Sequence, residues 1–105
     1  MKKGDIVLVS FPFTDFSGDK IRPALVLSVS SLDVIIAFIS TQLHRKGKND
    51  IALTPALSNR LKKDSIVRLS KLATVDKKIV LGLLGVLSEE KLKEVDDNLM
   101  KLFQL

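Results

Sequence analysis

Arg22 stands directly before Pro23, and this adjacency is the first point in the chain where residue type and position together imply chemistry. Proline fixes its own φ and biases the preceding residue toward extended backbone, so the guanidinium leaves the chain in a defined direction. A guanidinium held that way clamps a phosphate through two parallel hydrogen bonds and stays charged at every working pH. The same spacing also fits an exposed strand-edge arginine whose proline merely begins the next strand. Ser40 and Thr41 follow a buried apolar run, where hydroxyls either donate to a phosphate oxygen or cap a strand end. Arg45, Lys46 and Lys48, then Arg60, Lys62 and Lys63, have the spacing to track a nucleic-acid backbone and equally to form a solvated face. Arg68 interrupts the apolar Ile66, Val67 and Leu69, so it either alternates outward to solvent or points into a groove. His44 is a general-base candidate by residue type alone. With no tryptophan or tyrosine, base stacking would fall to phenylalanines such as Phe13 or Phe16.

Composition narrows the chemistry further. The absence of cysteine removes disulfide frameworks, thiolate metal sites and cysteine nucleophiles, and a single histidine argues against a metal enzyme. Neither a serine-histidine-acid ordering nor a glycine-rich phosphate loop is present. The net charge of +5 is unevenly spread: residues 89–103 carry five acids against three lysines, a net −2, which leaves +7 on the rest. A body of that sign attracts polyanions such as RNA or an acidic protein segment. No apolar run approaches the ~20 residues a membrane helix needs. The start Met1-Lys2-Lys3-Gly4-Asp5 leads into a strand pattern without a cleavage site, so a soluble cytoplasmic protein is expected.

The elements that must position these residues are mostly short and apolar. Strands are expected from Ile6 to Phe11, from about Ala24 to Val29 after Pro23, and from Val34 to Ile39, joined as an antiparallel meander. Ser17-Gly18-Asp19 is a turn signal between the first two. Residues 40–49 are polar and basic and read as a loop. Asp50–Thr54 reads as a half-buried strand stopped by Pro55, Ala56–Lys63 as a single helical turn, and Ser65–Leu69 as a fifth strand. Val80–Leu87, with Gly82 and Gly85 inside it, reads as a sharply bent last strand. Ser88 is a plausible N-cap for a closing helix whose Leu92, Val95, Leu99, Leu102 and Phe103 recur at helical spacing. With 105 residues and no linker-like run, the expectation is a single domain over 1–105: mainly β, a small, partly open antiparallel barrel with a C-terminal α-helix.

The stretch from Gly4 to Ser28, GDIVLVSFPFTDFSGDKIRPALVLS, resembles the N-terminal half of the MazF/PemK family of toxin ribonucleases. Ile39-Ser40-Thr41-Gln42, the run from Asp64 to Arg68 and the run from Ala73 to Lys77 are similar to later family segments, so the likeness covers nearly the whole chain. It implies an SH3-like barrel of the CcdB/MazF kind, working as a homodimer. It also implies sequence-specific cleavage of single-stranded RNA without metal or cofactor, and inhibition by a cognate acidic antitoxin. Arg22 falls on the family's catalytic arginine and Ser40 on its catalytic hydroxyl position; Arg68 falls on an arginine that some members use. Lys20, Thr41, Arg45, Lys46, Lys48 and Arg68 are the expected RNA contacts. Two departures stand out: Ser70 replaces an acid that some members carry, and Val7 replaces a tryptophan often found there. The general base is left among Asp15, Asp19 and His44, and the loop from Phe13 to Ile21 is expected to cover an RNA groove. Two alternatives are a non-catalytic toxin of the same fold acting on DNA gyrase, and an inactive nucleic-acid- or peptide-binding barrel.

Overall fold

The computed structural model describes residues 1–12 and 19–105. It contains strands β1 (Asp5–Pro12), β2 (Asp19–Val29), β3 (Asp33–Ser40), β4 (Ile51–Leu53), β5 (Ser65–Asp76) and β6 (Val80–Val86), then helix α1 (Glu89–Phe103). Short 3-10 turns occupy Leu43–Arg45 and Lys77–Ile79. The strands form one antiparallel sheet in the order β4-β5-β3-β2-β1-β6. The first three make the expected meander; β5 then lies between β3 and β4, and β6 returns to pair with β1.

The sheet is not closed, and β4 and β6 form its two edges. The segment after β4 leans on β6 instead. The Val86 N–H donates to the Ser58 carbonyl at 2.8 Å. Gly85 sits so close that a Cβ there would stand 2.5 Å from that same oxygen. The bends expected at the glycines are present as register shifts: between Ile6 and Val7 the β6 partner passes over Leu84, and between Leu8 and Val9 it passes over Leu81. Such bulges add local twist and curl the sheet.

Period-2 alternation buries both faces of the central strands. Ile6, Leu25, Ala37 and Ile39 join one apolar cluster, completed by Leu53, Val67, Leu69 and the helix residue Val95. Val7, Val9, Ala24, Val26, Val34 and Ile36 form a second cluster with Val75. Helix α1 covers the first cluster with Leu92, Val95, Leu99 and Leu102, while Phe103 is exposed rather than packed. Its start is capped as the sequence predicts, Ser88 Oγ accepting from the Lys91 N–H at 3.2 Å.

Two local expectations are revised. β2 starts at Asp19 rather than near Pro23, because Lys20, Ile21 and Arg22 pair with Phe11, Ser10 and Val9 of β1. β5 continues without a break to Asp76. The helical turn expected over 56–63 forms as a single turn at the start of the segment, where the Arg60 N–H donates to the Ala56 carbonyl at 3.0 Å; the buried Asn59 side chain organises the rest, accepting from the Ala56 and Leu61 N–H groups and donating to the Thr54 carbonyl. The turn at Ser17-Gly18, with Phe13, Asp15 and Phe16, lies outside the described residues, and so does the Asp19 side chain.

Asp5 is buried at the start of β1 and accepts from the Lys2 backbone N–H at 2.9 Å and the Lys2 ammonium at 3.0 Å. Burial by itself raises this carboxyl, but the Lys2 hydrogen bonds and positive charge outweigh it and hold the group below its ordinary value. The stabilisation is therefore complete above the unfolded carboxylate range and is lost as pH falls through the depressed folded value. Asp5→Asn should flatten the acid limb of a stability–pH profile measured by urea unfolding; an unchanged limb would contradict this. Gly85→Ala should destabilise the fold by about 1–3 kcal/mol, since backbone rather than a flexible side-chain tip must yield.

Candidate nucleic-acid interface and active site

The site begins where β2 and β3 part. Their ladder runs from Val29 paired with Val34 to Ala24 paired with Phe38 and stops one residue short of Pro23. Proline removes a ladder donor and belongs where pairing ends on one side. β1 still pairs with β2 through this region, Leu8 opposite Pro23 and Val9 opposite Arg22, so β2 stays ordered while the end of β3 is released from it. Continuing the Ala24–Phe38 register by two residues sets Arg22 opposite Ser40. The arginine-proline pair and the strand-end hydroxyl, far apart in sequence, thus meet at the point of divergence.

Two grooves open there, and Arg22, Ile39 and Ser40 line both. The first, about 580 Å³, is completed by Thr41, Arg60, Lys62, Lys63 and Ser65 over an apolar floor that includes Leu8, Ile21, Leu61 and Leu84. The second, about 400 Å³, is completed by Phe11, Lys20, Phe38, Gln42, Arg45, Arg68 and Lys71. In the second groove Phe11 and Phe38 meet edge to face with centroids 5.2 Å apart. Among the described residues the two linings hold eight cations (Lys20, Arg22, Arg45, Arg60, Lys62, Lys63, Arg68 and Lys71) and no carboxylate. A concave surface lined by one sign of charge focuses field and draws in a polyanion.

Ser40 Oγ accepts from the Gln42 N–H at 3.0 Å, which orients the oxygen and leaves its proton available to donate. Arg68 is held from beneath. While β3 advances from Ala37 to Ile39, β5 runs from Leu72 to Val67, so β5 bulges across Arg68–Lys71. Asp50, whose side chain is 1% exposed, fills the space behind this bulge. Its Oδ2 accepts from Arg68 Nε at 3.1 Å and the Gly47 N–H at 2.8 Å; its Oδ1 accepts from the Ser70 N–H at 3.3 Å and Ser70 Oγ at 3.4 Å. One carboxylate thereby satisfies the bulge, closes the turn after the basic loop and orients the arginine. The helix reaches the same turn through Asn98, which donates to the Asn49 carbonyl at 3.2 Å.

Of the residues singled out from sequence, Lys20, Arg22, Ser40, Thr41, Arg45, Arg60, Lys62, Lys63 and Arg68 line the grooves, whereas His44, Lys46 and Lys48 are exposed and line neither. Lys71, Phe38 and Asp50 carried no comparable sequence signal. Phe38 could have been found by alternation, being two residues before Ser40 on one strand; Lys71 and Asp50 depend on the bulge. Asp50→Ala removes the partner of a nearly buried arginine and should cost about 3–5 kcal/mol in chemical denaturation, with Asp50→Asn costing less. Equal stability of Asp50→Ala and wild type would contradict the anchoring role.

The fold has counterparts among known proteins. A family model described as PemK-like, MazF-like toxin of type II toxin–antitoxin system matches residues 2–103. The Mycobacterium tuberculosis toxin MazF-mt6 superposes with a TM-score of 0.79 at 20% identity, covering 96% of this chain and 97% of that one. A mycobacterial endoribonuclease in complex with its cognate antitoxin gives 0.80 at 17% identity, covering 100% and 96%. MazF from Deinococcus radiodurans gives 0.75 at 21% identity, covering 100% and 97%. These structures share the overall fold; the match of the family model over nearly the whole length shows that the chain belongs to the PemK-like, MazF-like toxins of type II toxin–antitoxin systems.

Proposed function

We propose that this protein is a sequence-specific endoribonuclease that cleaves single-stranded RNA by attack of a ribose 2′-hydroxyl on the adjacent phosphate, without a metal ion. The observation that carries the reading is the convergence of Arg22 and Ser40 on the wall shared by two cationic grooves. The endoribonuclease named among the similar structures supports it. In the reaction a 2′-O–P bond forms and the P–O5′ bond breaks, leaving a 2′,3′-cyclic phosphate and a 5′-hydroxyl. Charge builds on the non-bridging oxygens, where fixed cationic donors act without reorganisation. Arg22 supplies that charge and Ser40 a second donor; a guanidinium does not deprotonate and so does not take the 2′ proton.

The partners follow from the same reading. The cationic grooves suit an acidic antitoxin segment as well as RNA, and a cognate antitoxin accompanies one of the similar structures. β6 is an edge strand with Leu81 55% and Leu83 65% exposed, a surface that a second copy of the chain would cover. Among the described residues no helix is long and apolar enough to cross a membrane, and we place the activity in the cytoplasm with its RNA substrate.

Incubating the protein with long single-stranded RNA in chelator should yield discrete fragments ending in cyclic phosphate; uniform survival of RNAs of varied sequence would refute the reading. Arg22→Ala should lower the cleavage rate by about 10²–10³-fold while keeping the thermal midpoint, the loss typical of removing one transition-state donor. Sedimentation at micromolar concentration should return twice the monomer mass, and a monomer would exclude the dimer.

A further inference from the structure

The segment from Thr54 to Ser65 is more elaborately built than a connection requires. Asn59 ties it internally through three hydrogen bonds, the Arg60 N–H donates to the Ala56 carbonyl at 3.0 Å, and buried Ser65 Oγ donates to the Lys63 carbonyl at 2.9 Å. Its outer turn rests on β6 through Ser58 and the absent side chain of Gly85. Within this frame Arg60 has φ +56°, the left-handed region that a side chain disfavours and glycine enters freely. Folding alone would favour glycine at this position. The chain instead carries an exposed arginine there, beside Lys62 and Lys63, and all three line the groove that ends at Arg22 and Ser40. A backbone conformation kept against local preference, at the wall of a site, points to a contact with a ligand.

We infer that Arg60, Lys62 and Lys63 form a second phosphate-binding arm, which holds the RNA strand on one side of the cleaved bond while Lys20, Arg45, Arg68 and Lys71 hold the other. This rests on the proposed nuclease reading for the substrate but on separate residues for its evidence. The groove's two halves match the two halves of a nucleotide: the apolar floor of Leu8, Ile21, Leu61 and Leu84 accepts a base, and the cationic rim accepts the phosphates. An RNA strand is favoured over an acidic peptide because the groove is continuous with the Arg22–Ser40 wall.

The test is binding of a randomised-sequence, 2′-O-methylated RNA oligonucleotide, which lacks the attacking hydroxyl, followed by fluorescence anisotropy from low to high salt. Each phosphate contact on a single strand contributes about 0.7 to the slope of log affinity against log salt. Arg60→Gly should lower the slope by about 0.7, and the triple variant R60G/K62Q/K63Q by about 2. Lys93→Gln, on the helix and outside both grooves, is the charge-matched control. The thermal midpoint of Arg60→Gly should equal or exceed that of wild type, separating lost contact from lost fold. If Arg60→Gly fails to fold, the double variant K62Q/K63Q carries the test. Slopes that fall no further than in the control, or an oligonucleotide that does not bind wild type, overturn the arm. A normal loss of slope in a protein that cleaves no RNA keeps the arm and removes the nuclease reading; cleavage with unchanged slopes does the reverse.

Discussion

The parting of β2 from β3 at Pro23 is the constraint on which the site depends. A strand that loses one neighbour usually frays, since its backbone donors and acceptors must go to water. Here β1 continues to pair with β2 as far as Asp19, so β2 remains extended and its side chains keep their alternation. That alternation sends Lys20 and Arg22 toward the groove holding Phe11 and Phe38, while Ile21 and Pro23 turn toward the groove floored by Leu8 and Leu84. One interruption in one ladder thus opens two differently lined clefts and leaves Arg22 and Ser40 at their common wall.

The bulge in β5 is the counterpart of that interruption on the other side of β3. Extra residues in a strand free a backbone N–H, and a buried free donor is costly unless something accepts from it. Asp50 accepts from Ser70, and the same carboxylate draws in Arg68 and the Gly47 N–H. A negative charge at that depth is tolerable because it is surrounded by donors. Arg68 thereby has its direction set by the fold rather than by a ligand. Ser70 here is thus a partner of a buried acid.

Charge is the property in which the whole chain most understates the site. A net +5 on 105 residues is moderate, yet the described linings of the two grooves concentrate eight of the 17 lysines and arginines with no carboxylate among them. The residues are drawn from β2, the turn after β3, the segment before β5 and the β5 bulge, so no single run of sequence displays the concentration. The potential over a concave surface depends on which charges share it, and sharing is a matter of topology.

The sequence by itself determined the elements and their bends. Apolar runs of strand length, the Ser88 cap, the helical spacing of Leu92, Val95, Leu99 and Leu102, and the glycines of β6 are local signals, set by neighbours a few residues apart. The arginine-proline pair was legible for the same reason, and the family likeness gave it a role. Strand register, the β5 bulge and the packing of the Thr54–Ser65 segment against β6 were decided only by the tertiary structure, because each depends on residues tens of positions apart meeting with a particular offset. Those three features bring Phe38, Lys71, Asp50 and Arg60 to the site. A change of one residue in register would send their neighbours to the opposite face, which no local pattern records.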